Sequence, residues 1–216
     1  YDYNSDRIIF IEYHNGGGST DNVRAFDYNS NSWETLSDVE TSSVSGESAY
    51  DVESDRIIYI DYSGGSADIK AYDYGTDTWE TMTSTFSVSS VRATVSYDIE
   101  SDRIIIVTYN GGSTYVYGYD YNTDTIETLN TLDNVNSVWA TSAYDYNSDR
   151  IIFIDYHNGG GSYDNVRAFD YNSNSWETLS DVETSSVWGV SAYDIESDRI
   201  IYFDYSGGSA DIKAFD

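Results

Sequence analysis

One block of sequence recurs five times. Tyr-Asp-x-x-Ser-Asp-Arg-Ile-Ile begins at Tyr1, Tyr50, Tyr97, Tyr144 and Tyr193, with offsets of 49, 47, 47 and 49 residues. A period of that length confines a chain to repeat architectures, in which each copy is one supersecondary unit that cannot bury its apolar faces alone. A longer period lies over the first, because residues 1–49 match residues 144–192 at all but four positions. These are Glu12/Asp155, Thr20/Tyr163, Ser45/Trp188 and Glu47/Val190. Residues 50–73 and 193–216 differ at three positions: Val52/Ile195, Ile60/Phe203 and Tyr72/Phe215. Near-identity of this kind reads as recent duplication and as a window on a longer parent. The units fall at 1–49, 50–96, 97–143, 144–192 and a truncated 193–216, taken together as one array over 1–216.

Each unit predicts four short strands. Strand A covers 44–50 and its counterparts 91–97, 138–144 and 187–193. Strand B, Arg-Ile-Ile-Tyr-Ile-Asp-Tyr at 56–62, is an apolar run without alternation, as expected of a strand covered on both faces. A Gly-rich loop leads to strand C at 68–74, and a tight turn (Gly75-Thr76-Asp77) to a short strand D at 78–82. Turn residues every 8–12 positions, with no helical period, indicate an all-β fold. Blades stacked around an axis cover both faces of every sheet, so the predicted fold is a β-propeller of four-stranded antiparallel blades. Strands B and C occur five times, D four times, and A four times plus the stub at Tyr1, which makes about four and a half to five blades. A five-bladed ring and an open segment of a larger ring or array both fit this count.

The formal charge of −28 opposes contact with nucleic acid or an anionic membrane surface, since no basic patch offsets it. The acidity does not imply disorder, because 23 Tyr, seven Phe and five Trp supply a large burial capacity. A dense carboxylate shell suits high salt or a medium rich in divalent cations. The chain has no Cys, so neither a disulfide framework nor thiol chemistry is available. Its longest apolar runs, such as 104–107, fall far short of a membrane span.

The repeat resembles the kelch family of propellers. The resemblance rests on the glycines after strand B (Gly64-Gly65, Gly111-Gly112, Gly207-Gly208, and triplets at 16–18 and 159–161). It rests also on Tyr/Phe-Asp followed by an aromatic seven residues on: Phe26/Trp33, Tyr72/Trp79 and Phe169/Trp176, with Tyr119/Ile126 departing from the pattern. Kelch-like propellers mostly bind partners, and a few are enzymes using a metal or radical cofactor, whose residues have no match here.

The acidic turns Asp2-x-Asn4-x-Asp6, Asp51-x-Glu53-x-Asp55, Asp98-x-Glu100-x-Asp102, Asp145-x-Asn147-x-Asp149 and Asp194-x-Glu196-x-Asp198 space oxygens like the start of a calcium loop. The required Gly and distal Glu are missing, so Asx-type turns are the leading expectation, with Arg56 and its copies pairing to the turn. No cofactor is expected, and weak calcium binding at these turns is the one exception left open. His14 and His157 occupy equivalent loops and make a poor metal pair. No base is placed to activate a nucleophile, so the sequence reading is that the chain is not an enzyme.

Two of the four differences between the long repeats lie two apart on strand A and so share one face. The units carry Ser45, Arg92, Trp139 and Trp188 at the first of these positions, and Glu47, Thr94, Thr141 and Val190 at the second. One reading is a variable surface on the channel and top rim, where Arg92, Trp139, Trp188, Tyr163 and Glu47 would bind a partner. The other is repacking against a different neighbouring blade. The sequence thus predicts an extracellular or cell-surface structural or adhesive repeat, part of a surface layer or fibre, with protein, glycan or self-association as its contacts. The alternative is a discrete binding propeller that holds a peptide or glycan at its top rim and central channel.

Overall fold

The computed structural model describes residues 1–12, 21–39, 46–63, 65–88, 93–110, 113–131, 140–155, 165–180, 189–206 and 209–216. Among them there are strands and turns and no helix. Five antiparallel sheets follow one another along the chain. The first holds β1 (Arg7–Glu12), β2 (Asp21–Asp27) and β3 (Ser32–Val39). The second holds β4 (Gly46–Asp51), β5 (Arg56–Ser63), β6 (Ser66–Asp73) and β7 (Thr78–Ser87). The third holds β8 (Ala93–Asp98), β9 (Arg103–Asn110), β10 (Ser113–Asp120) and β11 (Thr125–Thr128). The fourth holds β12 (Ala140–Asp145), β13 (Arg150–Asp155), β14 (Asn165–Asp170) and β15 (Ser175–Thr178). The fifth holds β16 (Gly189–Asp194), β17 (Arg199–Ser206) and β18 (Ser209–Phe215).

The first strands of blades 2 to 5 pack on one another in order, β4 on β8, β8 on β12, β12 on β16, and so form the inner ring. Among the described residues the first sheet holds no inner strand and the last no outer one. The outer strand is longer than predicted in blade 2. A bulge between Asp68 and Lys70 lets β7 pair again with β6 as far as Ser66↔Ser87.

Four apolar clusters hold the blades together, each straddling one junction. Between blades 2 and 3, Ile58, Ile60 and Ile69 meet Tyr97, Ile104, Ile106 and Tyr119. Ile57 and Tyr72, on the other face of the same blade, meet Val23, Ala25 and Leu36 of blade 1. This explains the unbroken apolar run of the second strand. Alternate residues point to opposite faces, and both faces are covered.

The nine described turns that enter a second strand or join a third to a fourth each place one acidic or amide residue in the left-handed region, with φ of 48–57°. These are Asp6, Asp55, Asp102, Asp149 and Asp198 in one series, and Asn31, Asp77, Asp124 and Asn174 in the other. Asp and Asn tolerate that conformation better than other residues bearing a Cβ. Four residues earlier in each turn, an Asp side chain accepts the amide three positions on, at 3.0–3.4 Å.

Candidate functional site

The acidic rim is built from these turns. In blade 2 the Arg56 guanidinium donates to the carbonyls of Ser54 (3.3 Å) and Asp55 (2.8 Å) and pairs with Asp73 (3.0 Å) of the facing turn. Arg7 and Arg103 repeat this pattern with Asp27 (3.0 Å) and Asp120 (3.1 Å). Each such arginine ties the two hairpins of one blade together, and the calcium-like spacing is occupied by Asx turns. Among the described residues no group of three or more His, Asp or Glu is arranged to hold a metal.

Every left-handed Asp also accepts a tyrosine hydroxyl from five residues before it: Tyr50 to Asp55 (2.7 Å), Tyr97 to Asp102 (3.0 Å), Tyr144 to Asp149 (2.6 Å) and Tyr193 to Asp198 (2.7 Å). Tyr1 bonds Asp6 in the same way. In the outer turns, Tyr72 meets Asp77 (2.7 Å) and Tyr119 meets Asp124 (3.2 Å). Where the aromatic is Phe26 or Phe169, the turn residue is Asn31 or Asn174. The pairing is chemical, since a buried hydroxyl needs an acceptor and a phenyl ring does not. Sequence reasoning missed this covariation although the signal was present in the repeat.

The outer turns also grip the preceding blade. Asp77 accepts both the amide (2.7 Å) and the hydroxyl (2.9 Å) of Ser37, and the Trp79 indole donates to the Ser37 carbonyl at 2.9 Å. Asp124 holds the Thr83 amide at 2.8 Å, and Asn174 the Asn130 amide at 2.7 Å. Burial pushes the Asp77 carboxyl upward, but the Ser37 amide and the Tyr72 and Ser37 hydroxyls more than offset it and hold it below its ordinary value. At the junction of blades 3 and 4 the balance is opposite. A hydrogen bond between the Glu100 and Asp149 carboxyls raises the Glu100 pKa, and burial raises that of Asp98.

The predicted binding residues divide. Arg92, Trp139, Tyr163 and Trp188 lie outside the described residues, as do His14 and His157. Glu47 sits on the inner strand β4, opposite Ile60 of β5. Its copies on β8 and β12 reach across the junction to the next blade. Thr94 bonds the Ser142 hydroxyl at 2.5 Å and Thr141 bonds that of Ser191 at 2.8 Å. At the corresponding place beyond Glu47 stands Val95, which offers no hydroxyl. The Glu47 side chain is open to solvent but surrounded by protein, and desolvation raises its carboxyl to about 7. At Thr94 and Thr141 the second variable position is therefore a contact between inner strands of adjacent blades.

A repeat of four-stranded antiparallel blades around an inner ring defines the chain as a five-bladed β-propeller. No protein-family model and no curated protein sequence matches it. Solved structures share the fold at low identity. TolB from Acinetobacter baumannii is 16% identical with a TM-score of 0.66, over all of this chain and 51% of that one. The chain thus spans about half the length of TolB. A chain of the nidogen/laminin complex is 10% identical with a TM-score of 0.65, over 96% of this chain and 73% of that one. A variant of NanB sialidase from Streptococcus pneumoniae is 12% identical with a TM-score of 0.65, over 88% and 33%.

The last of these corrects the reading that the chain is not an enzyme. A sialidase carries the same fold, and a propeller scaffold supports catalysis in one chain and recognition in another, because function lies in site residues and not in the fold. Enzyme status stays open. Among the described residues no helix is long and apolar enough to cross a membrane.

Proposed function

We propose that the chain is a structural or adhesive module of an extracellular or cell-surface assembly, built of kelch-like blades. The observation that supports this reading is where the rim carboxylates are engaged. The turn aspartates bond their own backbone, a tyrosine of their own blade, or the strand of the blade before, so the acidic rim serves as connection between repeats. A charge of −28 keeps such a surface hydrated in salt-rich surroundings. The nidogen/laminin complex supplies one case in which a chain of this fold takes part in a complex of proteins. Antibody labelling of intact producing cells tests the reading. Labelling without permeabilisation is expected, and labelling only after lysis would overturn it.

A second reading is a propeller that binds a peptide or glycan at its top rim and central channel. Glu47 favours it, as an exposed carboxyl on the inner strand β4. Arg92, Trp139, Trp188 and Tyr163 would supply charge and aromatic faces. On peptide and glycan arrays, Trp188→Ala and Arg92→Ala should each weaken any bound hit at least tenfold, whereas unchanged binding would exclude this site.

A further inference from the structure

The turn that enters each second strand lies against the next blade, so one position can be compared from seam to seam. The backbone of Asn4, Glu53 or Glu100 meets the hydroxyl of Tyr50, Tyr97 or Tyr144 of the blade that follows. This turn position carries Asn4, Glu53, Glu100 and Asn147 in blades 1 to 4, and the left-handed residue of the next blade is always Asp. Between blades 4 and 5 the Asn147 side-chain amide donates to Asp198, and with the Tyr193 hydroxyl it holds that carboxyl below its ordinary value. Between blades 3 and 4 a carboxyl takes the place of the amide, and Glu100 meets Asp149. An amide brings its own hydrogens to a carboxylate, whereas an ionised carboxylate brings none. The two acids therefore share this contact only with a proton between them, because like charges so close do not both ionise freely.

We infer that the seam between blades 3 and 4 is a pH-sensitive joint, latched in acid by a proton that Glu100 and Asp149 share and loosened when that proton leaves. The groups around the pair set the direction. Asp149 already accepts the Tyr144 hydroxyl at 2.6 Å and the Asn172 amide at 3.0 Å. Asp98, 1% exposed, and Asp170 add negative charge from the two sides of the seam. The arginines of both blades are engaged beside it, Arg103 with Asp120, and Arg150 with Glu177 and the field of Asp170. The Asp149 hydrogen bond and charge raise the Glu100 carboxyl above its ordinary 4.5, so the folded chain keeps a proton that the unfolded chain has released. The stabilisation is complete below 4.5 and is lost as the pH rises through the raised value. Burial raises Asp98 in the same direction. Loosening is confined to the rim, because Thr94, Ser96 and Ser142 join the inner strands of the same seam through uncharged hydroxyls.

Carboxyl-carbon NMR titration and amide hydrogen exchange test the joint in the 216-residue chain carrying Glu47→Gln, which removes the separately raised Glu47 carboxyl. Glu100 should titrate above the ordinary glutamate range, and Asp149→Asn should return it there. Asn is accommodated at such a turn position, as Asn31 and Asn174 show. Exchange over residues 98–103 and 144–149, corrected for intrinsic rates, should quicken about twofold or more from acid to neutral pH, the scale of a solvent-screened charge. Exchange over 194–198, at the seam that Asn147 closes, should stay level. Glu100→Gln supplies an amide at every pH and should abolish the quickening without lowering the melting temperature at neutral pH. Glu100 titrating in the ordinary range would overturn the inference, and so would the same quickening in the Glu100→Gln protein.

Discussion

Strands β6 and β18 carry the same sequence, Ser-Ala-Asp-Ile-Lys-Ala, and differ only at the aromatic that follows, Tyr72 against Phe215. In blade 2 the central Ile69 is fully buried, and in blade 5 its copy Ile212 lies in solvent. Local sequence and local backbone are alike, so the difference comes wholly from the neighbour. Blade 3 covers the first strand and no described blade covers the second. A blade of this protein is thus a half-finished object whose core is completed by the next copy.

The most direct way to break the comparison is to truncate both isoleucines. Ile69→Ala should cost about 2–5 kcal/mol as transfer and cavity terms add, and Ile212→Ala less than about 0.5 kcal/mol in the dilute chain. Denaturant midpoints measure both, and equal losses would mean that blade 5 is covered after all.

A second comparison sets Gly46 against Ala93 and Ala140, its copies on the inner strands. A Cβ at Gly46 would stand 2.4 Å from the Tyr59 hydroxyl oxygen and 2.7 Å from the Ile60 carbonyl. In the blades of the alanine copies, Ile106 and Phe153 stand at the position of Tyr59 and lack the hydroxyl. Gly46→Ala should destabilise by about 1–3 kcal/mol through overpacking. Combining it with Tyr59→Ile should recover part of the loss, and a double variant no better than the single would refute the pairing.

Smaller effects follow from the turns. Tyr72→Phe should cost about 0.5–1.5 kcal/mol, the net worth of one hydrogen bond. Adding Asp77→Asn recreates the Phe26/Asn31 pairing of blade 1 and should cost less than the sum of the two single changes in a double-mutant cycle.

The smallest effect concerns Glu47, whose copies are Thr94, Thr141 and Val190. Its carboxyl is raised from 4.5 to about 7 in the folded state. The folded chain therefore holds a proton that the unfolded chain has released, and stability falls as the pH rises from about 4.5 through 7. Glu47→Gln should flatten that slope. It should stabilise the protein at pH 8 by several tenths of a kcal/mol, the scale of a solvent-screened charge, and change little at pH 4. Parallel slopes for the two proteins would contradict the assignment.

The fold was legible because the repeat length, the four short strands and the unalternating second strand all state one requirement: two faces that only a neighbour can cover. The arginine-capped Asx turns were legible for a similar reason, since turn chemistry is local. The grip of Asp77 on Ser37, the choice of Tyr with Asp or Phe with Asn, and the space that Gly46 leaves for Tyr59 were not read in advance. Each depends on residues brought together from adjacent strands or blades, and register is invisible to a linear scan until sheets are stacked. The longer outer strand of blade 2 was missed because a bulge hides its resumed pairing. The candidate site was legible only as variation on strand A. Glu47 shows why variation alone does not settle its meaning, since its copies Thr94 and Thr141 bond the next blade while Glu47 itself is exposed.

Amide hydrogen exchange on the dilute chain at low salt, read peptide by peptide over β6 and β18, measures neighbour coverage most directly. Their shared sequence gives them closely similar intrinsic exchange rates, so any difference in protection reports structure. Slow exchange at 66–73 with much faster exchange at 209–215 is the predicted result. Equal protection of the two segments would contradict an account in which each blade is completed only by the copy beside it.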